Sequence, residues 1–224
     1  VARYCHLADA WQAGTPRVIA TSAARDALNA DDLVAAVAQT AGLTLEIISG
    51  QQEAQWVFQG ISSDSQLAGL PLLMIDVGGG STEFIAGQDT LQSFRQSYPL
   101  GTVRLMEKLP VSDPVQPHEL ENVQSWVRSF LVREVAPLLQ PVIDQLPGGT
   151  AQLVATGGTA VIMARIHLAL NSYDRDRINA STLGLTEVRQ QVARLWAEPL
   201  ATRRTIPGLP ANRADVILMG AVIF

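Results

Sequence analysis

The stretch Leu72–Phe84, "LLMIDVGGGSTEF", decides the fold of this chain. An apolar run ends at Asp76, three glycines follow, and Glu83 stands at the start of a second apolar run. Two such runs joined by a glycine turn predict the antiparallel strands of a hairpin. Successive N–H groups in a glycine turn form a concave anion site, for which phosphate is the expected guest. The simpler alternative is a glycine hairpin with two solvated acids.

The two acids of this stretch suit a phosphate site that also holds a metal ion. If the turn is tight, Asp76 and Glu83 face one cleft. A carboxylate at the end of a strand can hold a hard cation such as Mg²⁺ beside the phosphate oxygens that the cation neutralises. We therefore expect Asp76 to hold a metal ion and Glu83 to face the same cleft. The residues expected to bind phosphate in this loop are Gly78, Gly79, Gly80 and Ser81.

A second glycine turn occurs in "VATGGTA", residues 154–160. It follows a predicted strand and precedes a predicted helix, whose N-terminus favours an anion. Gly157, Gly158 and Thr159 are therefore a second group of candidate phosphate-binding residues. Taken alone, the turn is better explained as a compact strand-to-helix connection with Thr159 as a cap. Its pairing with the first loop favours the phosphate interpretation.

Two charged residues in the first third of the chain complete the candidate site. Glu53 lies in the first turn of the helix that follows "IISG". It is either a partner of the helix dipole or a cleft residue that acts as general base towards water. Arg25, in "TSAARDALN", is placed in a first helical turn, which is unfavourable for a cation, so we expect it to have an anionic partner. Arg104, in "PLGTVRLME", is a similar candidate.

The order of predicted elements indicates an α/β fold in two units. Strand, helix, helix, strand and helix precede a small polar segment that begins near Ser62. A new series of strands and helices follows it. This alternation is typical of α/β folds. We place one unit at residues 1–62 and the other at residues 63–224.

Composition narrows the function classes. The 224 residues are 47% hydrophobic with a net charge of -5, which indicates a globular protein without the basic surface that binds DNA, RNA or anionic membranes. Cys5 is the only cysteine, so no intrachain disulfide forms and a cytoplasmic location is expected. No apolar run is long enough to span a membrane. The motifs of α/β hydrolases and P-loop NTPases are absent.

Six motifs together resemble one family. They are "VIATSAARDALN", "LEIISGQQEA", "LMIDVGGGSTEF", "YPLGTVRL", "VATGGTA" and "RADVILMGAVIF". In order and spacing they are similar to the exopolyphosphatase and guanosine pentaphosphate phosphohydrolase family, within the actin and sugar kinase superfamily. The resemblance implies two ribonuclease H-like lobes around a cleft, and Mg²⁺-dependent hydrolysis of a terminal phosphoanhydride. It also makes a homodimer an expectation.

The resemblance assigns roles to the candidate residues. Glu53 matches the catalytic acid of the family, and Arg25 matches an arginine that contacts phosphate. Asp76 and Glu83 match the carboxylates that position metal and water. The first glycine loop of this chain, Gly78–Ser81, matches the second of the two phosphate loops that the family has. The first phosphate loop of the family, of the type D-x-G-S-N-S, has no counterpart here. The first lobe is thus expected to be incomplete, the final helix to be cut short, and this piece alone to lack a complete active site.

Two other functions remain open from the residues. A kinase of the same superfamily, acting on a sugar or a short carboxylic acid, would also use two glycine loops and Mg²⁺. A noncatalytic regulator that binds polyphosphate or a nucleotide would use the acidic residues only to shape the binding site, without catalysis. Transfer of phosphate to an acceptor would favour the kinase, and binding without phosphate release would favour the regulator.

Overall fold

The computed structural model describes all 224 residues, which form two sheets flanked by helices. The strands are β1 (Val18–Ala20), β2 (Leu45–Ile47), β3 (Pro71–Val77), β4 (Thr82–Gln88), β5 (Leu91–Tyr98) and β6 (Gln152–Thr156). The helices are α1 (Ala2–Ala10), α2 (Ser22–Asp26), α3 (Ala30–Ala41), α4 (Gly50–Ser62), α5 (Thr102–Lys108), α6 (Pro117–Phe130), α7 (Ala136–Gln145), α8 (Gly157–His167), α9 (Arg175–Asn179), α10 (Leu185–Ala197), α11 (Leu200–Arg203) and α12 (Ile217–Ile223). None of these helices is both long and apolar enough to cross a bilayer.

The two sheets differ in their strand pairing. β1 and β2 form a two-stranded parallel sheet. The larger sheet has the order β5-β4-β3-β6, in which β3, β4 and β5 are antiparallel neighbours and β6 runs parallel to β3. Val77 pairs with Thr82, so the glycine stretch forms the tight hairpin connection that the sequence predicts. The α/β fold class is confirmed.

Helices cover both faces of the larger sheet. On one face, Ala54 and Phe58 of α4 pack on Leu72, Met74 and Ile85, and all five are fully buried. On the other face, α7 packs on β4 and β5 through a second apolar cluster. The largest core joins the end of β3 to α5, α6, α8, α10 and α12. The helix α4 thus follows the smaller sheet in the chain and lies on the larger one.

Pro137 and Pro141 predict a break in a long helix between Glu119 and about Leu146, and the structure confirms it. A π-helical turn, Leu131–Val135, separates α6 from α7. Pro137 lies in the first turn of α7 and Pro141 in its interior. Proline lacks an N–H and its ring crowds the preceding turn, which accounts for the break in the regular hydrogen-bond pattern.

Candidate active site

A polar row crosses the larger sheet at the end of β3. Asp76 pairs with Glu83 on one side and with Thr156 on the other, and Glu83 pairs with Ser97. Residues paired across neighbouring strands project to the same face of a sheet. These four side chains therefore lie on the face that α4 covers, one step beyond the buried Met74.

Glu83 is held inside this row by hydroxyl groups. It is 1% exposed, and Ser97 Oγ donates to Glu83 Oε1 at 2.7 Å. Burial raises the pKa of Glu83, the hydroxyls of Ser97 and Ser81 oppose the rise, and the negative charges of Glu53 and Asp76 add to it. The three acidic side chains are therefore close enough to feel one another's charge.

The N-terminus of α4 brings Glu53 to this row. Ser49 caps the helix by accepting a bond from the N–H of Gln52 at 3.1 Å. Gly50 lies so close to β5 that a Cβ added there would be 2.6 Å from Ser97 Oγ. Only a glycine allows this approach, which sets the first turn of α4, and with it Glu53, over the polar row.

Arg25 is the partner of Glu53. Arg25 Nη1 donates to Glu53 Oε2 at 2.9 Å and to the carbonyl of Ile48 at 2.8 Å, and the two charged side chains are each 21% exposed. The predicted anionic partner of Arg25 is confirmed, but the helix-dipole argument that led to the prediction was wrong. The helix α2 has only five residues and Arg25 lies in its last turn, where a cation is favourable.

The first glycine loop presents unpaired N–H groups. The carbonyls of Gly78 and Gly79 accept bonds from the first turn of α5, and the N–H of Gly78 donates to the carbonyl of Ser81 at 2.9 Å. The N–H groups of Gly79, Gly80 and Ser81 donate to no backbone carbonyl. Three successive donors therefore remain free for an anion, whereas the amide of Gly78 is used to close the turn.

The second glycine loop adjoins Asp76. Gly157 has φ +83°, and a Cβ added there would overlap Asp76 Oδ1. The neighbouring Gly158 has open space at the same position. Thr159 is buried, and its hydroxyl donates to the carbonyl of Val77 at 3.3 Å. Its side chain is thus turned inward, and the first-turn N–H groups of α8 are what this loop offers to an anion.

Asp76 has a strongly altered acidity. Burial, with the negative charge of Glu53 as a second cause, raises the pKa of Asp76 from 3.8 to about 6. The folded chain therefore binds this proton more tightly than the unfolded chain does. The resulting stability is fully present below pH 4 and is lost as pH rises to about 6.

We expect this carboxyl to lower the free energy of unfolding by at most about 3 kcal/mol between pH 4 and pH 6 without divalent cations. The replacement Asp76→Asn removes the titration and keeps the shape. Chemical unfolding at several pH values should therefore show a variant that becomes more stable, relative to the original chain, as pH rises. The exposed Asp144 on α7 is the matched control, because Asp144→Asn leaves Asp76 in place. Parallel pH profiles for the original chain and Asp76→Asn would contradict this.

The carboxylates form a pair of possible metal ligands and not a complete metal cage. Nowhere in the chain do three His, Cys, Asp or Glu side chains cluster with the spacing of metal ligands. Mg²⁺ commonly takes one or two carboxylates and completes its octahedron with water and phosphate oxygens. The half-buried Asp76 and the buried Glu83 are paired across neighbouring strands and fit that mode of binding. A cavity of about 650 Å³ lies along the outer edge of β6, and neither of these carboxylates lines it.

Comparison with known proteins places the chain in a family. The model of the Ppx/GppA phosphatase family matches residues 1–224. The chain belongs to this family. Among curated relatives of this Ppx/GppA chain, exopolyphosphatase 2 of Mycobacterium tuberculosis is 31% identical over 227 residues, which cover 98% of this chain and 68% of that protein. Exopolyphosphatase 1 of Mycobacterium bovis is 30% identical over 205 residues, which cover 91% of this chain and 57% of that protein.

Solved structures agree on the fold of this Ppx/GppA protein. A family member from Aquifex aeolicus superposes with a TM-score of 0.81 at 24% identity, over 100% of this chain and 69% of that chain. An exopolyphosphatase from Cytophaga hutchinsonii gives 0.82 at 24% identity, over 99% of this chain and 69% of that chain. The actin-like fold expected from the motifs is confirmed, while the division at residue 62, the cytoplasmic location and the homodimer stay predictions.

Proposed function

We propose that this chain carries catalytic residues of a phosphohydrolase that releases the terminal phosphate of inorganic polyphosphate, of guanosine pentaphosphate, which carries the same terminal group, or of both. The observation that supports it most is the meeting of Glu53, Asp76 and Glu83 beside three free amides of the glycine loop. Acids facing a set of anion-binding donors suit attack of water on a bound phosphate. Membership of a phosphatase family and relatives named exopolyphosphatase agree with this chemistry.

In the proposed mechanism the two glycine loops hold successive phosphates. The amides of Gly79, Gly80 and Ser81 donate to one phosphate and the first turn of α8 donates to a neighbouring one. Positioned donors stabilise the charge that develops on the transferred group without having to reorganise. Phosphate oxygens also compete with Glu53 for the donors of Arg25, so that substrate binding frees the Glu53 carboxylate.

Glu53 then acts as the general base. Freed from Arg25, its carboxylate orients a water molecule and takes a proton from it during in-line attack on the terminal phosphorus. The water oxygen forms the new bond to phosphorus and the bridging oxygen of the shortened chain leaves with the bonding electrons. We assign Asp76 and Glu83 as the ligands of Mg²⁺, which when bound would neutralise charge on the phosphate oxygens.

The test of this function is phosphate release from both substrates by the full-length protein, with and without Mg²⁺, because the resemblance implies that this chain alone lacks one phosphate loop. The kinetic tests below use the full-length protein as well. We expect Mg²⁺-dependent release of single phosphates, and a polyphosphate that shortens from its ends. Retention of the phosphate on an added sugar or carboxylic acid would instead identify a kinase. Binding of polyphosphate without release would identify a noncatalytic regulator, and either result would overturn the proposal.

A further inference from the structure

Arg104 contacts both the first glycine loop and Asp26, and a role in binding phosphate does not explain these two contacts. Its Nε donates to the carbonyl of Gly80 at 2.8 Å, and its Nη2 forms an ion pair with Asp26. Asp26 follows Arg25 in α2, beside the smaller sheet, whereas Arg104 lies in α5, at the end of the glycine loop. One guanidinium therefore ties the loop of the larger sheet to the helix that carries Arg25.

The bond to Gly80 completes a pattern along the glycine loop. The carbonyl of Gly78 accepts from the N–H of Thr102 at 2.9 Å, and the carbonyl of Gly79 accepts from the N–H of Val103 at 2.8 Å. The side chain of Arg104 supplies the third donor, to the carbonyl of Gly80. Three successive carbonyls of the loop thus point at α5.

This pattern fixes the direction of the free amides. In a trans peptide the C=O of one residue and the N–H of the next point in opposite directions. Since the carbonyls of Gly78–Gly80 point at α5, the N–H groups of the next residue in each case point away from it. These are the amides of Gly79, Gly80 and Ser81. Because α5 has no further backbone donor for the third carbonyl, the last of these peptides, with the N–H of Ser81, depends on Arg104.

We infer that Arg104 is a positioning residue, which aims the glycine loop at the substrate and is itself oriented by Asp26. The inference rests on the proposed function, in which the N–H of Ser81 binds phosphate. Arg104 holds the carbonyl of the same peptide, that of Gly80, and does not itself bind phosphate. The ion pair is well exposed, with side-chain exposures of 40% for Arg104 and 54% for Asp26. Its loss is therefore expected to affect the loop and not the overall stability.

The variants for the test are Arg104→Ala, Arg104→Lys, Asp26→Asn and the double variant Asp26→Asn/Arg104→Ala. The matched control is Arg17→Ala, which breaks an exposed ion pair with Glu46 and leaves the loop untouched. We expect Arg104→Ala to lower kcat about ten- to a hundredfold, with a smaller change in KM. Lysine should give an intermediate value, and the double variant should be no worse than Arg104→Ala. The control should behave as the original chain.

Asp26→Asn separates positioning from direct contact. If Arg104 orients the loop, releasing it from Asp26 lowers kcat. If Arg104 binds phosphate directly, releasing it lowers KM and leaves kcat unchanged, which would overturn the inference. A double variant much worse than Arg104→Ala would also contradict it, since the two residues would then act independently.

Amide hydrogen exchange tests the inference without any activity. The N–H of Gly78 and the N–H of Thr102 are protected by bonds that close the loop. Both should exchange about tenfold faster in Arg104→Ala than in Arg17→Ala, while the thermal midpoint stays the same. Unchanged exchange at these two amides would refute the role of Arg104. If the full-length protein released no phosphate but the exchange result held, the proposed function would fail and the role of Arg104 in holding the loop would stand.

Discussion

Replacing Glu53 by glutamine is expected to lower kcat for phosphate release by about 10²- to 10⁴-fold, with KM changed much less. Glutamine keeps the shape of the side chain and can still accept a bond from Arg25, but it cannot take a proton from water. The bond of Arg25 to the carbonyl of Ile48 also remains. The variant should therefore fold normally, with a free energy of unfolding within about 1 kcal/mol of the original value.

Steady-state kinetics with polyphosphate is the measurement for Glu53, and Glu46 provides the control. Glu46 lies on β2 and pairs with the exposed Arg17, so Glu46→Gln removes a carboxylate from the same part of the chain without touching the polar row. Turnover near the original value in Glu53→Gln would exclude Glu53 as the base. Equal losses in both variants would point to a general effect of charge.

Replacing Gly157 by alanine is the second large effect that we expect. The backbone of Gly157 has φ +83°, which costs an L-residue about 1–2 kcal/mol, and the new methyl group would overlap Asp76 Oδ1. The variant should lose about 2–3 kcal/mol of unfolding free energy. It should also lose nearly all phosphate release. The overlap can be relieved only by moving Asp76 out of the polar row or by shifting the second glycine loop, to which Gly157 belongs.

Gly158 is a matched control for the stability of this variant. It is the next residue along the chain, it lies in the first turn of α8, and a Cβ there meets nothing within 4 Å. Gly158→Ala should change the free energy of unfolding by less than about 1 kcal/mol, in the stabilising direction, since alanine favours helix. Chemical unfolding curves of the two variants that coincide would contradict the close contact between Gly157 and Asp76.

Local pattern sufficed to predict the hairpin and its acids. Asp76 and Glu83 flank a short glycine turn, and a tight turn between two apolar runs leaves little freedom in the register. The same argument predicted strand-turn-helix at Gly157. The motifs of the family then identified Arg25 and Glu53 as members of the same site, which lie far from the hairpin in sequence.

Ser97 could not be found in this way, and the reason is a bulge. Gln88 pairs with Leu91 next to the turn between β4 and β5. An antiparallel pairing that continued from there without a bulge would place Glu83 opposite Gln96. The register shifts between Ala86 and Gly87, so that Glu83 meets Ser97. A shift of one residue exchanges the two faces of a strand, and nothing in the local sequence marks where the extra residue is accommodated.

The partners of Arg25 and Arg104 were also beyond local pattern. Asp26 and Arg104 are 78 positions apart in the chain, and their pairing depends on how α2 and α5 are placed by the two sheets. The dipole argument for Arg25 failed because it assumed a longer helix, in which Arg25 would have been far from the C-terminus. A five-residue helix reverses the sign of that argument.

Both glycine loops are expected to belong to one phosphate site, which a chemical-shift titration with inorganic tripolyphosphate and Mg²⁺ can show residue by residue. We expect the amide resonances of Gly79, Gly80, Ser81 and Gly157 to shift together and to fit a single Kd, and we expect Glu53→Gln to retain this binding. Loops that respond with different Kd values, or a first glycine loop that does not respond at all, would contradict it.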